Sequence, residues 1–122
     1  MKDNKAVIDV VTRFISGGDE SNVQLLEDVL HPDFRNVQYG FFEEQGVFVI
    51  DKPKYLDLIQ KGTFGGTPRA MEIEQVDVYT SIAFVKANLE SETMVFHSHI
   101  LVICENNKWK VIENFPHIAY KS

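Results

Sequence analysis

The chain is short of the residues that mark several protein classes. It has one cysteine, Cys104, in 122 residues. One cysteine cannot form an intrachain disulfide, and its apolar strand-like setting reads as packing rather than thiol chemistry. Lysine and arginine number 12 against 18 aspartates and glutamates, a formal net charge of −6. A nucleic-acid surface needs clustered cations; the only basic clusters, Lys52/Lys54 and Lys108/Lys110, sit beside predicted turns. No apolar run approaches the roughly 20 residues needed to cross a bilayer. The opening Met-Lys-Asp-Asn-Lys leads into an amphipathic stretch holding Asp9 and Arg13, not the apolar core of a signal peptide. A soluble cytoplasmic protein is expected, with no nucleic-acid and no membrane partner. Gly65-Gly66 is followed by no Lys-Ser/Thr, so it is not a phosphate loop.

What the chain does have is apolar bulk: 44% hydrophobic residues, with 9 Phe, 4 Tyr and 1 Trp. That is enough to fill a core without covalent staples. With no repeat, linker or low-complexity tract, one domain over residues 1–122 is expected.

The order of elements points to an α+β fold. Val7, Ile8, Val11, Phe14 and Ile15 form a stripe at the helical period over Lys5 to Ser16, and Gly17-Gly18 is expected to end that helix. Ser21-Asn22-Val23-Gln24 reads as a capping box for a second helix, stopped by Pro32. Short strands are expected over 34–39 and 46–50, followed by a third helix capped by Asp51 and closed by Gly62. From Arg69 onward come four strand-like runs, 69–79, 82–89, 94–104 and 109–120, separated by tight turns; Asn106-Asn107 is the strongest turn signal. Consecutive hairpins imply an antiparallel meander with helices on one side.

This layout resembles the NTF2-like superfamily, the cone-shaped fold shared with ketosteroid isomerases and SnoaL-type cyclases. Within it the chain is most similar to the branch described as putative lumazine-binding. The resemblance rests on Ala6-Val7-Ile8 to Gly17-Gly18-Asp19, on Leu25 to the turn His31-Pro32-Asp33-Phe34, on Asp51-Lys52-Pro53 with Leu58-Ile59, on Val76-Asp77-Val78, on Ala83 to Ala87, and on Trp109 to Phe115. It covers nearly the whole chain. It implies three N-terminal helices packed on a strongly curved, mainly antiparallel sheet, with a pocket at the mouth of the cone. Such folds host unrelated activities.

In the isomerase relatives a carboxylate a few residues past the His-Pro-Asp-like turn moves a proton. By that count this chain offers Gln38, with Asn36 two residues earlier. An amide has no titratable proton at neutral pH and is no general base. Tyr39 is adjacent but falls on the opposite strand face.

The histidines are the remaining acid–base candidates. His97 and His99 share a strand face, and period-two counting puts Glu113 with Trp109, Phe115 and His117 on the next strand. His97, His99, Glu113 and His117 are therefore the candidate catalytic group. The same histidines could instead line a wet oligomer face. No His-x-Glu, His-Glu-x-x-His or Cys-x-x-Cys pattern supports a metal, so neither metal nor cofactor is expected. His31 reads as a dipole partner at the end of the second helix.

Most of the aromatics Phe34, Tyr39, Phe41, Phe42, Phe48, Tyr55 and Phe64 read as core, while Phe41-Phe42 and Phe64 sit in loop-like contexts suited to a ligand. The expected ligand-binding set is Phe34, Asn36, Gln38, Phe64, His97, His99, Glu113 and Phe115, taking a small apolar or flat aromatic molecule. Three functions fit: a small-molecule-binding domain, an isomerase, dehydratase or cyclase, or a non-catalytic interaction domain. The run Met94 to Cys104 is apolar on both faces, and a homodimer through the sheet would cover it.

Overall fold

The computed structural model describes residues 2–41 and 43–121. The apolar stripe of the first segment folds as helix α1, Lys2–Asp19, with Val7, Val10, Val11, Phe14 and Ile15 buried. The helix does not stop at Gly17-Gly18. Gly17 lies inside it because the next helix, α2 (Val23–Val29), crosses there; a Cβ on Gly17 would stand 2.9 Å from Leu26 Cγ. The chain reverses one step later, at Ser21, whose φ is 53°. Asn22 rather than Ser21 caps α2, its side chain accepting from Leu25 N at 3.1 Å. At the other end Lys52 Nζ donates to Glu27 O and Leu30 O, both at 2.9 Å, supplying a cation where the helix dipole favours one.

Strand β1, Leu30–Phe41, begins directly after α2, so His31 lies in the strand and not at a helix end. Its Nε2 stands 2.6 Å from Glu105 Oε1, tying β1 to the far hairpin. Strand β2, Glu44–Asp51, returns antiparallel to β1. Helix α3, Lys52–Gln60, opens at the Asp51 cap, which accepts from Lys54 N at 3.1 Å. Four strands follow: β3 (Ala70–Tyr79), β4 (Ile82–Glu90), β5 (Met94–Glu105) and β6 (Lys108–Tyr120). Asn106 and Asn107, at φ 52° and 63°, make the last turn, as their tolerance of positive φ predicts.

Among the described residues the sheet has six strands, in the order β2-β1-β6-β5-β4-β3. Two features differ from an antiparallel meander behind three leading helices. The third helix sits between β2 and β3, and β1 pairs parallel with β6, so the sheet is mixed. Parallel pairing needs a long connection, and β1 reaches β6 through β2, α3 and the whole β3–β5 meander, a crossover no hairpin can make.

The core lies between the helices and the inner face of the sheet. Phe14, Phe34 and Tyr55 meet there with ring centroids 5.1–6.2 Å apart, while β4 contributes Ala83, Val85, Ala87 and Leu89. Among the described residues no helix is long and apolar enough to cross a membrane.

Candidate functional site

Helices α1 and α3 cover only part of the inner face. Where they leave it, a cavity of ≈ 370 Å³ remains. Its apolar wall comes from Phe14 and Ile15 of α1, Tyr55 and Ile59 of α3, Phe64 of the following loop, and Leu89, Met94, Phe96 and Ile118 of the sheet. Tyr55 and Phe64 of this wall stand 5.8 Å apart, and a ring series continues from Phe64 away from the cavity lining, to Phe41 at 5.5 Å and from Phe41 to Phe48 at 5.3 Å.

One strip of the sheet side of the cavity is polar. Asn36 and Gln38 lie two apart on β1 and therefore share the inner face; both are buried, at 2% and 6% exposure. Asn114 on β6 is the register partner of Asn36 and is also buried, at 9%. The three amides form one chain. Asn114 Nδ2 donates to Asn36 Oδ1 at 2.8 Å, Asn36 Nδ2 to Gln38 Oε1 at 2.7 Å, and Gln38 Nε2 to the carbonyl oxygen of Gly40 at 2.9 Å. Asn114 Oδ1, at the other end, is buried without a hydrogen-bond partner among the described residues. Buried Ser98 of β5 and Ser91 of the β4–β5 turn complete this polar strip.

One ion pair stands at the rim. Asp19, the last residue of α1, accepts from Arg69 Nε at 2.6 Å and from the Arg69 backbone N at 3.3 Å. The guanidinium lies over the Phe96 ring at 4.8 Å. The loop that carries Phe64 is held against α1 by Gly66 N donating to Gly18 O at 2.9 Å. Burial raises the Tyr55 hydroxyl to about 12; Arg69 lowers it and Asp19 raises it further, both by smaller amounts. Tyr55 therefore keeps its proton across the physiological range.

The structure separates the residues singled out in the sequence. Asn36, Gln38 and Phe64 line the cavity. Phe34 is fully buried one layer deeper, against Phe14 and Tyr55. Phe41 packs, partly buried, against the core, and Phe42 lies outside the described residues. His97, His99, Phe115 and His117 are exposed on the outer face of the sheet, and Glu113 shares that face half-buried. His97 pairs with His117, their rings 6.2 Å apart, and His97 Nδ1 meets Asn88 Oδ1 at 2.8 Å. Asn88 also donates to Glu74, and this bond, then Lys86, holds the Glu74 carboxyl below the usual range.

For Glu113, Phe115 and His117 the cause of this separation is a bulge; His97 and His99 face outward by ordinary alternation with buried Ser98 and Ile100. Val102 pairs with Val111 but Leu101 pairs with Glu113, so Ile112 is an extra residue in β6. Trp109 and Val111 point toward the core before it; Asn114 and Pro116 do so after it. Period-two counting from Trp109 to Glu113 and His117 crosses the bulge and lands on the wrong face. Asn114, Ser98 and Arg69 are cavity residues the sequence reading did not select. Among the described residues no cluster of three or more metal-ligating side chains is present.

The family described as "Putative lumazine-binding" matches residues 2–115. An NTF2-like protein of unknown function from Shewanella baltica superposes with a TM-score of 0.84 at 13% identity, over 97% of this chain and 94% of that one. A second NTF2-like protein of unknown function, from Silicibacter pomeroyi, gives 0.80 at 15% identity, over 94% of each chain. A ketosteroid isomerase-like protein from Erwinia carotovora gives 0.74 at 14% identity, over 98% of this chain and 96% of that one. Likeness at such identities establishes the fold and nothing finer. No curated protein matches the sequence.

Proposed function

Because the chain belongs to the family described as putative lumazine-binding, with an NTF2-like fold, we propose that it is a small-molecule-binding domain whose site is the cavity between α1, α3 and the sheet. The observation that carries this reading is the composition of that cavity. Aromatic and aliphatic side chains make most of the wall, and buried amides form one strip of it. Ligand sites have this mixture at volumes of about 300–1,000 Å³. Ion pairing of Arg69 with Asp19 leaves the rim without net charge, which favours an uncharged ligand. Flat molecules suit the ring-lined wall formed by Tyr55, Phe64 and Phe96.

Binding is favoured over turnover because the groups lining the cavity are amides, hydroxyls and a guanidinium. A general base near neutral pH needs a titratable group such as an imidazole or a carboxylate within reach of the substrate; the Asp19 carboxylate at the rim is held by Arg69, and His97, His99, Glu113 and His117 face the other way.

The test is native mass spectrometry of the protein as purified, together with thermal-shift titration against neutral bicyclic compounds. A bound small molecule, or a rise in Tm that follows ligand concentration, is expected. Ser98→Leu fills the cavity floor and should abolish the rise. No bound mass and no shift at millimolar ligand would refute the reading.

A second reading concerns the outer face and is compatible with the first. Phe84, Phe115 and Ile82 are 45%, 52% and 46% exposed there. We infer that a second copy of the chain covers them in a homodimer. Light scattering at micromolar concentration should give twice the chain mass, and Phe84→Glu should give the monomer; a wild-type monomer would refute the pairing.

A further inference from the structure

The amide chain has a direction, and the direction states what the cavity asks of its ligand. At one end stands the backbone carbonyl of Gly40, which can only accept. Gln38 must therefore turn its NH₂ toward it, which turns Gln38 Oε1 toward Asn36. Asn36 must then donate to Gln38 and accept from Asn114. Each amide orientation is forced by the one before, so oxygen and nitrogen are not interchangeable at any of the three positions. The chain ends in an acceptor, Asn114 Oδ1, buried on the cavity wall with no donor among the described residues.

A buried amide oxygen without a donor is unfavourable. Oδ1 is closed to solvent, so water does not supply the missing donor; Asn114 lines the cavity, and a ligand that shifts its side chain can supply it. A ligand offering a carbonyl or ether there would set acceptor against acceptor. Asn114 cannot turn over to suit it, because its nitrogen is committed to Asn36.

We propose that Asn114 is a specificity-determining residue: the cavity selects a neutral, flat ligand that presents an O–H or N–H donor to Asn114 Oδ1, and it rejects acceptor-only analogues. This rests on the ligand-binding reading above and goes beyond it by fixing the polarity of the contact. A site built to hydrogen-bond a hydroxyl discriminates strongly against analogues that lack it. The apolar wall formed by Phe14, Tyr55 and Phe96 would discriminate only weakly among rings of one size.

The experiment uses three neutral probes of one ring system in calorimetric titration at pH 7: 2-naphthol, 2-methoxynaphthalene and naphthalene. The first donates, the second only accepts, and the third is smaller than both and does neither. We expect 2-naphthol to bind at least tenfold tighter than either. Naphthalene guards against a size effect, since it is smaller and more apolar yet should bind worse. In Asn114→Ala the affinity of 2-naphthol should fall at least tenfold while that of naphthalene stays within about threefold. If that variant does not fold, the wild-type ranking decides alone. Binding of 2-methoxynaphthalene or naphthalene as tightly as 2-naphthol would overturn the donor rule and leave the binding reading standing. No binding of any probe at millimolar concentration would overturn both.

Discussion

Replacing Gly65 and Gly66 by alanine, one at a time, should have unequal consequences although the two residues share a backbone conformation. Both have positive φ, 73° and 79°. An alanine in the left-handed region costs about 1–2 kcal/mol, and the loss of chain entropy in the unfolded state is the same for both. The surroundings differ. A Cβ on Gly65 would drive into the backbone carbonyl of Gly18, which cannot yield without unwinding the end of α1. A Cβ on Gly66 would meet Ser21 Oγ at 3.2 Å, and a serine side chain can rotate away. Displacing the loop at Gly65 also breaks the bond from Gly66 N to Gly18 O, about another 0.5–1.5 kcal/mol. Gly65→Ala should thus cost about 2–4 kcal/mol and Gly66→Ala about 1–2 kcal/mol. For a chain of this length about 1 kcal/mol corresponds to about 4 °C in Tm. Scanning calorimetry should therefore show losses of about 8–16 °C and about 4–8 °C. Equal losses within about 2 °C would refute the argument, because the Gly18 backbone and the Ile59 side chain crowd Gly65 and not Gly66.

Three further outcomes are expected. Asn36→Leu leaves Gln38 Oε1 without a donor and Asn114 Nδ2 without an acceptor; at about 1–3 kcal/mol per buried orphan, urea denaturation should show a loss of about 2–6 kcal/mol, and a loss below about 1 kcal/mol would mean the amide chain does not hold. Asp19→Asn removes the charge that neutralises Arg69, both side chains being largely buried; stability should fall by about 1–3 kcal/mol, and affinity for the anionic probe naphthalene-2-sulfonate should rise, an unchanged affinity arguing against a rim role for Arg69. Burial raises Tyr55 from 10.0 to about 12, so the folded state holds this proton after the unfolded chain has released it. Its contribution is complete below about pH 10 and is lost as pH rises toward 12; wild type should lose roughly 2 kcal/mol more than Tyr55→Phe between pH 9 and 11.5 in urea titrations, and parallel curves for the two proteins would contradict the burial.

The local chemistry of this chain is legible in its sequence, and its long-range pairing is not. The Asp51 cap, the Asn106-Asn107 turn and the α1 stripe are set by neighbours within one or two turns of chain, and they form where the residue types predict. The glycine pair in α1 misleads because its role is tertiary: Gly17 lets Leu26 approach, which no local signal reveals. The parallel pairing of β1 with β6 is likewise invisible to a reading built from adjacent hairpins, since its partners are 78 residues apart at Asn36 and Asn114.

That pairing also explains why only half of the site could be read. Strand alternation correctly puts Asn36 and Gln38 on one face of β1, the inner face, which buries them beside the cavity. The same counting fails on β6, because one unpaired residue, Ile112, reverses the faces beyond it. Without the bulge the strand would turn Glu113, Phe115 and His117 inward and Asn114 outward. The amide chain would lose its last member, and a carboxylate and an imidazole would enter the cavity. The bulge thus separates an amide-lined cavity from one carrying acid–base groups. Deleting Ile112 should restore simple alternation beyond Val111 and still leave Asn114 two positions past it, on the inner face, so the folded variant should keep its tenfold preference for 2-naphthol over naphthalene; a lost preference would mean that the bulge, and not Asn114 Oδ1, sets it.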